Sequence, residues 1–281
     1  MKVHEPASLA AGTAGGGLPV VALHSSASTS GQWKSLAAHF AGRRLVITPD
    51  LLGYGVAAEA AESRKAANLA SEATAVLQSI GGVAPAFHLV GHSYGGAVAL
   101  KLALRYPHRV RSLTLIEPVA FHLLLRSGSD ADMRHYRTVL GIRDRVRGAV
   151  AAGWPAYGMA AFVDFWNGAG SWDALATEQR QRLAGQVRAV QQNFAAVLDE
   201  TWPLGELASL AMPVLTVDGS RSPAVTQRLV EIITGAARHA ATVRICGAGH
   251  MAPLTHAAAI NGLIERQLRL AEGAEIKPAA A

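Results

Sequence analysis

Two short stretches of this 281-residue chain hold side chains that can do chemistry together. The first is Gly91-His92-Ser93-Tyr94-Gly95, a G-x-S-x-G pattern with an apolar run before it at 87–90 and a helical pattern directly after. In the order strand, turn, helix, such a turn is strained and lifts the serine hydroxyl to the top of a sheet. Gly91, Gly95 and Gly96 suit it because side chains there would collide with the neighbouring strand and helix. The second stretch is Gly247-Ala248-Gly249-His250-Met251-Ala252-Pro253, which follows the last apolar run. His250 therefore stands on a loop at a strand's carboxyl end, the edge at which Ser93 also leaves its strand and where open α/β sheets keep their sites. A serine hydroxyl is a weak nucleophile until a base takes its proton, and a third group must hold that base in the useful tautomer. Ser93 as nucleophile and His250 as general base and acid fit that requirement. Of the other histidines, His92 reads as a spacer in the turn and His256 as the start of the final helix. His24, His88 and His122 lack the loop context of His250.

The elements that must position these residues are legible from hydrophobic pattern. Short apolar, β-branched runs at 20–23, 45–48, 87–90, 113–116, 213–217 and 242–245 suit strands covered on both faces. Helical patterns at 32–40, 68–80, 94–106, 224–234 and 257–270 alternate with them. The alternation predicts a doubly wound, mostly parallel α/β sheet. Between about 119 and 210 the alternation stops, and only helical segments punctuated by glycine and proline remain. This interval holds Trp154, Phe162, Phe165, Trp166 and Trp172. It reads as a helical cap at 119–210 inserted into a core made of 1–118 and 211–281, with most of its aromatics forming the cap's own core and a minority facing the cleft. The stretch at 12–17 and the tail after Glu272 read as loose ends.

Composition narrows the classes further. Charged residues are 16% of the chain and apolar ones 50%, which describes a compact protein and not a disordered one. The net charge of +6 is dispersed, and the arginines at 134, 137, 143, 145 and 147 read as a solvated helical face, so nucleic acid is not expected. No apolar run approaches the ~18 residues of a membrane helix, and no secretory leader is apparent. A single cysteine, Cys246, excludes an internal disulfide and makes the cytoplasm the default location; it reads as a buried strand residue.

With these motifs in place the chain resembles an α/β-hydrolase-fold serine hydrolase with a cap, over nearly its whole length. The likeness rests on GHSYGG, GAGHMAP, LHSSASTSGQW and LVITPDLLGYG at the family's positions. The resemblance implies an oxyanion hole made by the backbone amides of Ser26 and Tyr94, with Ser25 standing where glycine is common. It also implies a triad acid in a G-x-x-D turn after the penultimate strand, but here that turn is Gly219-Ser220-Arg221-Ser222. Two carboxylates remain: Glu117, at the end of the strand after the nucleophile's helix, where some haloalkane dehalogenases keep their acid, and Asp218. Glu117 directly follows four apolar strand residues, a costly place for an unpaired charge, and is the favoured assignment.

A serine nucleophile argues against haloalkane or epoxide opening, because attack on saturated carbon would leave an ether. The expected activity is hydrolysis of a small-to-medium, mainly apolar carboxylic ester or lactone through an acyl-enzyme, with a small molecule as partner and neither metal nor organic cofactor. Carbon–carbon bond hydrolysis, cofactor-free perhydrolase chemistry and a non-enzymatic small-molecule receptor remain open alternatives on the same fold.

Overall fold

The computed structural model describes residues 17–55 and 68–273. Its centre is a six-stranded, all-parallel sheet in the order β2-β1-β3-β4-β5-β6. The strands are β1 (Val20–Leu23), β2 (Val46–Ile47), β3 (Phe87–His92), β4 (Val110–Ile116), β5 (Val214–Gly219) and β6 (Ala240–Ile245). Successive side chains of a strand point to opposite faces, and both faces are covered. Val20 and Ala22 join one apolar cluster with Trp33, Leu36, Ile260 and Ile264. Val21 and Leu23 join the other, with Leu69, Val98 and Leu229. Helices α1 (Lys34–Phe40), α9 (Ala252–Thr255) and α10 (Ala257–Ala271) cover the first face, while α2 (Leu69–Ile80), α3 (Tyr94–Arg105) and α8 (Ala224–Ala236) cover the second.

Strand β6 departs from the expected burial on both faces. It is the edge strand, and most of its residues are at least partly exposed. Residues 12–16 and the tail from 274, expected from sequence to be loose ends, lie outside the described residues.

The sheet order places the site. The chain leaves β1 towards β2 on one side, and β3 lies on β1's other side. The carboxyl ends of β1 and β3 therefore flank a crevice that no crossover covers, the topological switch point of an open α/β sheet. Ser93 follows β3 there, and the loop with Ser25 and Ser26 follows β1.

Between β4 and β5 the chain is helical: α4 (Asp130–Ala152), α5 (Pro155–Asn167), α6 (Thr177–Ala184) and α7 (Val187–Leu198), with 3₁₀ turns at either end. Local signals set these boundaries. The Ser129 hydroxyl accepts from the Ala131 N–H at the start of α4, Gly153 ends it in the left-handed region (φ 73°), and Pro155 opens α5. Val139, Ile142, Val146 and Ala149 form the buried stripe of α4, and Arg134, Arg137, Arg145 and Arg147 lie on its exposed side. The insert's apolar side chains are continuous with the sheet's second cluster. A two-pronged ion pair from Arg228 on α8 to the buried Asp132 (2.7 and 3.0 Å) also ties α4 to the core. Trp154 and Tyr157 differ from the expected aromatic core of the insert: they stand 67% and 62% exposed.

Candidate active site

Ser93 sits in the left-handed region at φ 54°, a strained conformation for a residue with a side chain. The strain is held by main-chain bonds: its N–H donates to Ile116 (2.9 Å), and its carbonyl accepts from Ala97 (3.1 Å) and Val119 (3.3 Å). The turn needs its glycines. A methyl on Gly91 would lie 2.7 Å from the Gly95 carbonyl carbon, and one on Gly95 would lie 2.6 Å from that of Leu23.

Ser93, His250 and Glu117 come together although 157 and 133 residues of sequence separate the histidine from its two partners. The Ser93 Oγ is 3.0 Å from His250 Nε2, and His250 Nδ1 is 2.7 Å from Glu117 Oε2. All three side chains are buried. Nδ1 donates to the carboxylate, which leaves Nε2 to accept from the serine hydroxyl. Burial alone would raise the Glu117 carboxyl, but hydrogen bonds from His250 and Ser222 and the nearby imidazole outweigh it and hold it at about 2. Its second oxygen accepts from the Gly219 N–H (3.1 Å) and from the Ser222 hydroxyl. Ser222, the residue in the turn where the resemblance implied the acid, thus donates to the carboxylate that does reach the histidine. Glu117 is itself at φ 45°, while its N–H donates to the β5 carbonyl of Val217 (2.9 Å).

Asp218, the alternative acid, is engaged elsewhere. Both of its oxygens accept from Arg244 on β6, at 2.8 and 2.6 Å, one position before the Gly219 turn.

A second chain of hydrogen bonds was not legible in the sequence. The Ser25 N–H and hydroxyl both donate to Gln32 Oε1 (3.1 and 2.9 Å), which accommodates serine where glycine is common. The Gln32 amide nitrogen donates to His92 Nδ1 (3.2 Å), and His92 Nε2 donates to the His250 carbonyl (2.8 Å). His92 is thus more than a spacer: it joins the loop after β1 to the loop after β6. Burial, with the neighbouring His250 next in size, pushes its pKa down to about 3 and keeps it neutral for this role.

Ser26 and Tyr94 border the same cavity as Ser93. From the insert, Asn193 on α7 reaches into this corner: its Oδ1 accepts from the Ser26 hydroxyl (2.7 Å) and the Tyr54 hydroxyl (2.5 Å). The Tyr94 hydroxyl donates to Glu72 (2.9 Å), whose other oxygen accepts from the Leu52 N–H (3.2 Å). Burial raises the Glu72 carboxyl to about 7. No local pattern announced Gln32, Asn193 or Glu72. Each acts across the fold, and the only sequence signal was a polar residue within an apolar helical or loop pattern.

Two cavities meet at Ser93, and both are bordered by Ser26, Phe162 and Trp166. The Trp166 ring of α5 lies nearly parallel on His250, with centroids 4.2 Å apart and planes at 21°. Its indole N–H is buried and without a hydrogen-bond partner among the described residues.

The remaining histidines lie elsewhere. The Leu51 N–H donates to His24, which is buried beside the loop after β1, and burial lowers its pKa to about 4. His88 bonds Ser112 and Glu272 near the start of β3, at the opposite end of the strand from Ser93. His122 packs edge-on against Trp202. His256 stands at the N-terminal boundary of α10, as its position suggested, with no capping hydrogen bond from its side chain. Cys246, read from sequence as a buried strand residue, is exposed in the turn just after β6. Among the described residues no group of His, Cys, Asp and Glu is placed to hold a metal ion, and no described helix is long and apolar enough to cross a membrane.

Sheet order, elbow and helical insert together define a protein class, and comparison with known proteins agrees. The chain belongs to the alpha/beta hydrolase family, whose model matches residues 20–263. It is 32% identical over 121 residues to the 2-hydroxymuconate semialdehyde hydrolase of Pseudomonas sp. (strain CF600), and that match covers 42% of this chain and 42% of the relative's length. Among solved structures it resembles a hydrolase from Pseudomonas aeruginosa PA01 (TM-score 0.71, 21% identity, 89% of this chain and 90% of that one). It also resembles a thermophilic esterase from Thermogutta terrifontis (TM-score 0.68, 23% identity, 92% and 91%). At these identities the structural likeness speaks to the fold.

Proposed function

We propose that this chain is a serine hydrolase acting on a small-to-medium, mainly apolar carboxylic ester or lactone. The observation behind this reading is the unbroken series from Ser93 Oγ through His250 to Glu117, at 3.0 and 2.7 Å, opening on apolar cavities. In the proposed cycle Ser93 attacks the carbonyl carbon while His250 Nε2 takes its proton. The Ser26 and Tyr94 amides receive the negative charge that develops on the carbonyl oxygen. His250, now an imidazolium held by the ionised Glu117, protonates the departing alcohol as the carbon–oxygen bond breaks. A water molecule then gives its proton to His250, attacks the acyl-enzyme and releases the acid. The helical insert at 119–210 serves as a cap that keeps the reacting centre dry and presses Trp166 on the histidine. A cytoplasmic setting belongs to the same reading and rests on the single cysteine.

The test is turnover of 4-nitrophenyl esters by the whole chain beside its Ser93→Ala variant. Saturable hydrolysis that the variant loses supports the reading, and equal rates for the two proteins contradict it. Carbon–carbon bond hydrolysis is the second reading, favoured by likeness to a hydrolase named for 2-hydroxymuconate semialdehyde. Against it, among the described residues no lysine or arginine lines either cavity to receive a substrate carboxylate.

A further inference from the structure

The two cavities at Ser93 are unequal, and only one of them contains the histidine. The inner cavity, about 20 Å³, is bordered by the buried Val119, Phe121, Val190, Phe194 and Val197, with Asn193 and Tyr94 beside Ser93. The outer cavity, about 280 Å³, is bordered by Ala27, Val163, Leu175, Leu183 and Met251, and by His250 itself. Phe162 and Trp166 stand between them and border both. Among the described residues no lysine, arginine, aspartate or glutamate lines either space.

Leaving-group chemistry assigns the two spaces. The proton taken from Ser93 must pass from His250 Nε2 to the oxygen that departs, so that oxygen has to come within hydrogen-bond reach of Nε2. His250 borders the outer cavity and not the inner one. From this we infer that the outer cavity receives the alcohol half of the substrate and the inner cavity the acyl half that stays on Ser93. A space of about 20 Å³ is little more than the ~10–15 Å³ that a single water requires, which limits the acyl group to two or three carbons. The outer space admits a branched or ring-bearing alcohol. The absence of lining charge makes both halves neutral, since an unpaired ion buried there would lose its hydration with no countercharge to replace it.

The substrate class is therefore an uncharged ester of a short acid with a bulky, mainly apolar alcohol. In the balanced cycle the Ser93 Oγ–acyl bond forms as the acyl–alkoxy bond breaks. The serine proton leaves on the alcohol through the outer cavity. Water enters by the same route, past His250, and its hydroxyl departs on the short acid while its proton returns to Ser93. The assignment rests on the serine hydrolase reading above.

Two ester series with the whole chain test it. The first keeps 4-nitrophenol and lengthens the acyl chain from acetyl to octanoyl. The second keeps acetyl and enlarges the alcohol from ethanol to 1-naphthylmethanol. One methylene too many in a tight apolar site costs on the order of tenfold or more, so kcat/KM should fall by at least about tenfold between the propanoyl and octanoyl esters. It should hold or rise along the acetate series. Val190→Ala should move the acyl optimum to longer chains, whereas Leu183→Trp should depress the bulky acetates relative to ethyl acetate. Efficient octanoyl turnover together with rejection of the bulky acetates would overturn the assignment while leaving the hydrolase reading intact. Turnover in neither series would overturn the hydrolase reading and this assignment with it.

Discussion

Two buried glutamates approach the elbow from different regions of the molecule, and their surroundings leave them in different charge states. Glu117 reaches it through His250, Glu72 through the hydroxyl of Tyr94. Both are fully buried, so desolvation pushes both carboxyls up. Glu117 has three donors, one of them the imidazole of His250, and ends at about 2. Glu72 has two neutral donors, a main-chain N–H and a phenol, and ends at about 7. Burial alone does not set the charge state of a carboxylate. The imidazole at Glu117 and its greater number of donors make the difference, and Glu117 stands at φ 45° where it meets His250.

The hardest way to break this contrast is to neutralise each acid in turn. Glu117→Gln should lower kcat by about 10³–10⁴ in a chain that still folds, because an amide cannot hold the imidazolium or its tautomer. Asp218→Asn, which touches only the Arg244 pair, should retain most of the activity while losing some stability; steady-state kinetics and melting curves on both variants separate the two acids.

Stability against pH sharpens the other half. Folded Glu72 keeps its proton to about pH 7 while the unfolded chain releases it near 4.5, so the native state loses stability as pH rises between those values. Glu72→Gln removes that loss, on the order of 3 kcal/mol, and its urea midpoint should exceed the parent's more at pH 8 than at pH 4.5. Buried histidines act in the opposite direction. His92, held at about 3, and His24 and His122, at about 4, stay neutral when the unfolded chain takes up protons near 6.5. The stability they allow is full above pH 6.5 and is lost as pH falls towards 4. Each contributes a slope of about 1.4 kcal/mol per pH unit, visible in urea titrations across that range.

Smaller effects probe the support of Glu117 and of its histidine. Ser222→Ala removes one donor from the carboxylate and should reduce kcat about tenfold, a loss of the size expected for a hydrogen bond to a charged group. Trp166→Leu removes the ring stacked on His250. It should reduce kcat by a few-fold, as the loss of a partly buried cation–π contact of about 1 kcal/mol would, whereas Trp166→Phe should recover part of it.

What could be read in advance followed local physics. The strands and their helices announced themselves because apolar runs of strand length and helical periodicity are properties of neighbouring residues. Ser93 and His250 stood out because each lies in a glycine-rich loop that begins where a strand ends. The nearness of Glu117 was inferable from a charge placed directly after apolar strand residues, and its contact with Ser222 from nothing. Gln32, His92 and Asn193 could not be read, since their partners lie up to 167 residues away and polar side chains of these types usually face solvent. The exposure of β6 and Cys246 was likewise hidden: an edge strand and a central one can carry similar sequences, and only the sheet order distinguishes them.

The central claim is that His250, held by Glu117, activates Ser93. It is tested most directly by the rate at which a fluorophosphonate forms a covalent adduct, followed by intact-protein mass spectrometry. Rapid addition of one phosphonyl group at Ser93, slowed at least about a hundredfold in Glu117→Gln and not in Asp218→Asn, is the expected result. Equal labelling of the parent and Glu117→Gln proteins, or no labelling of the folded parent, would contradict it.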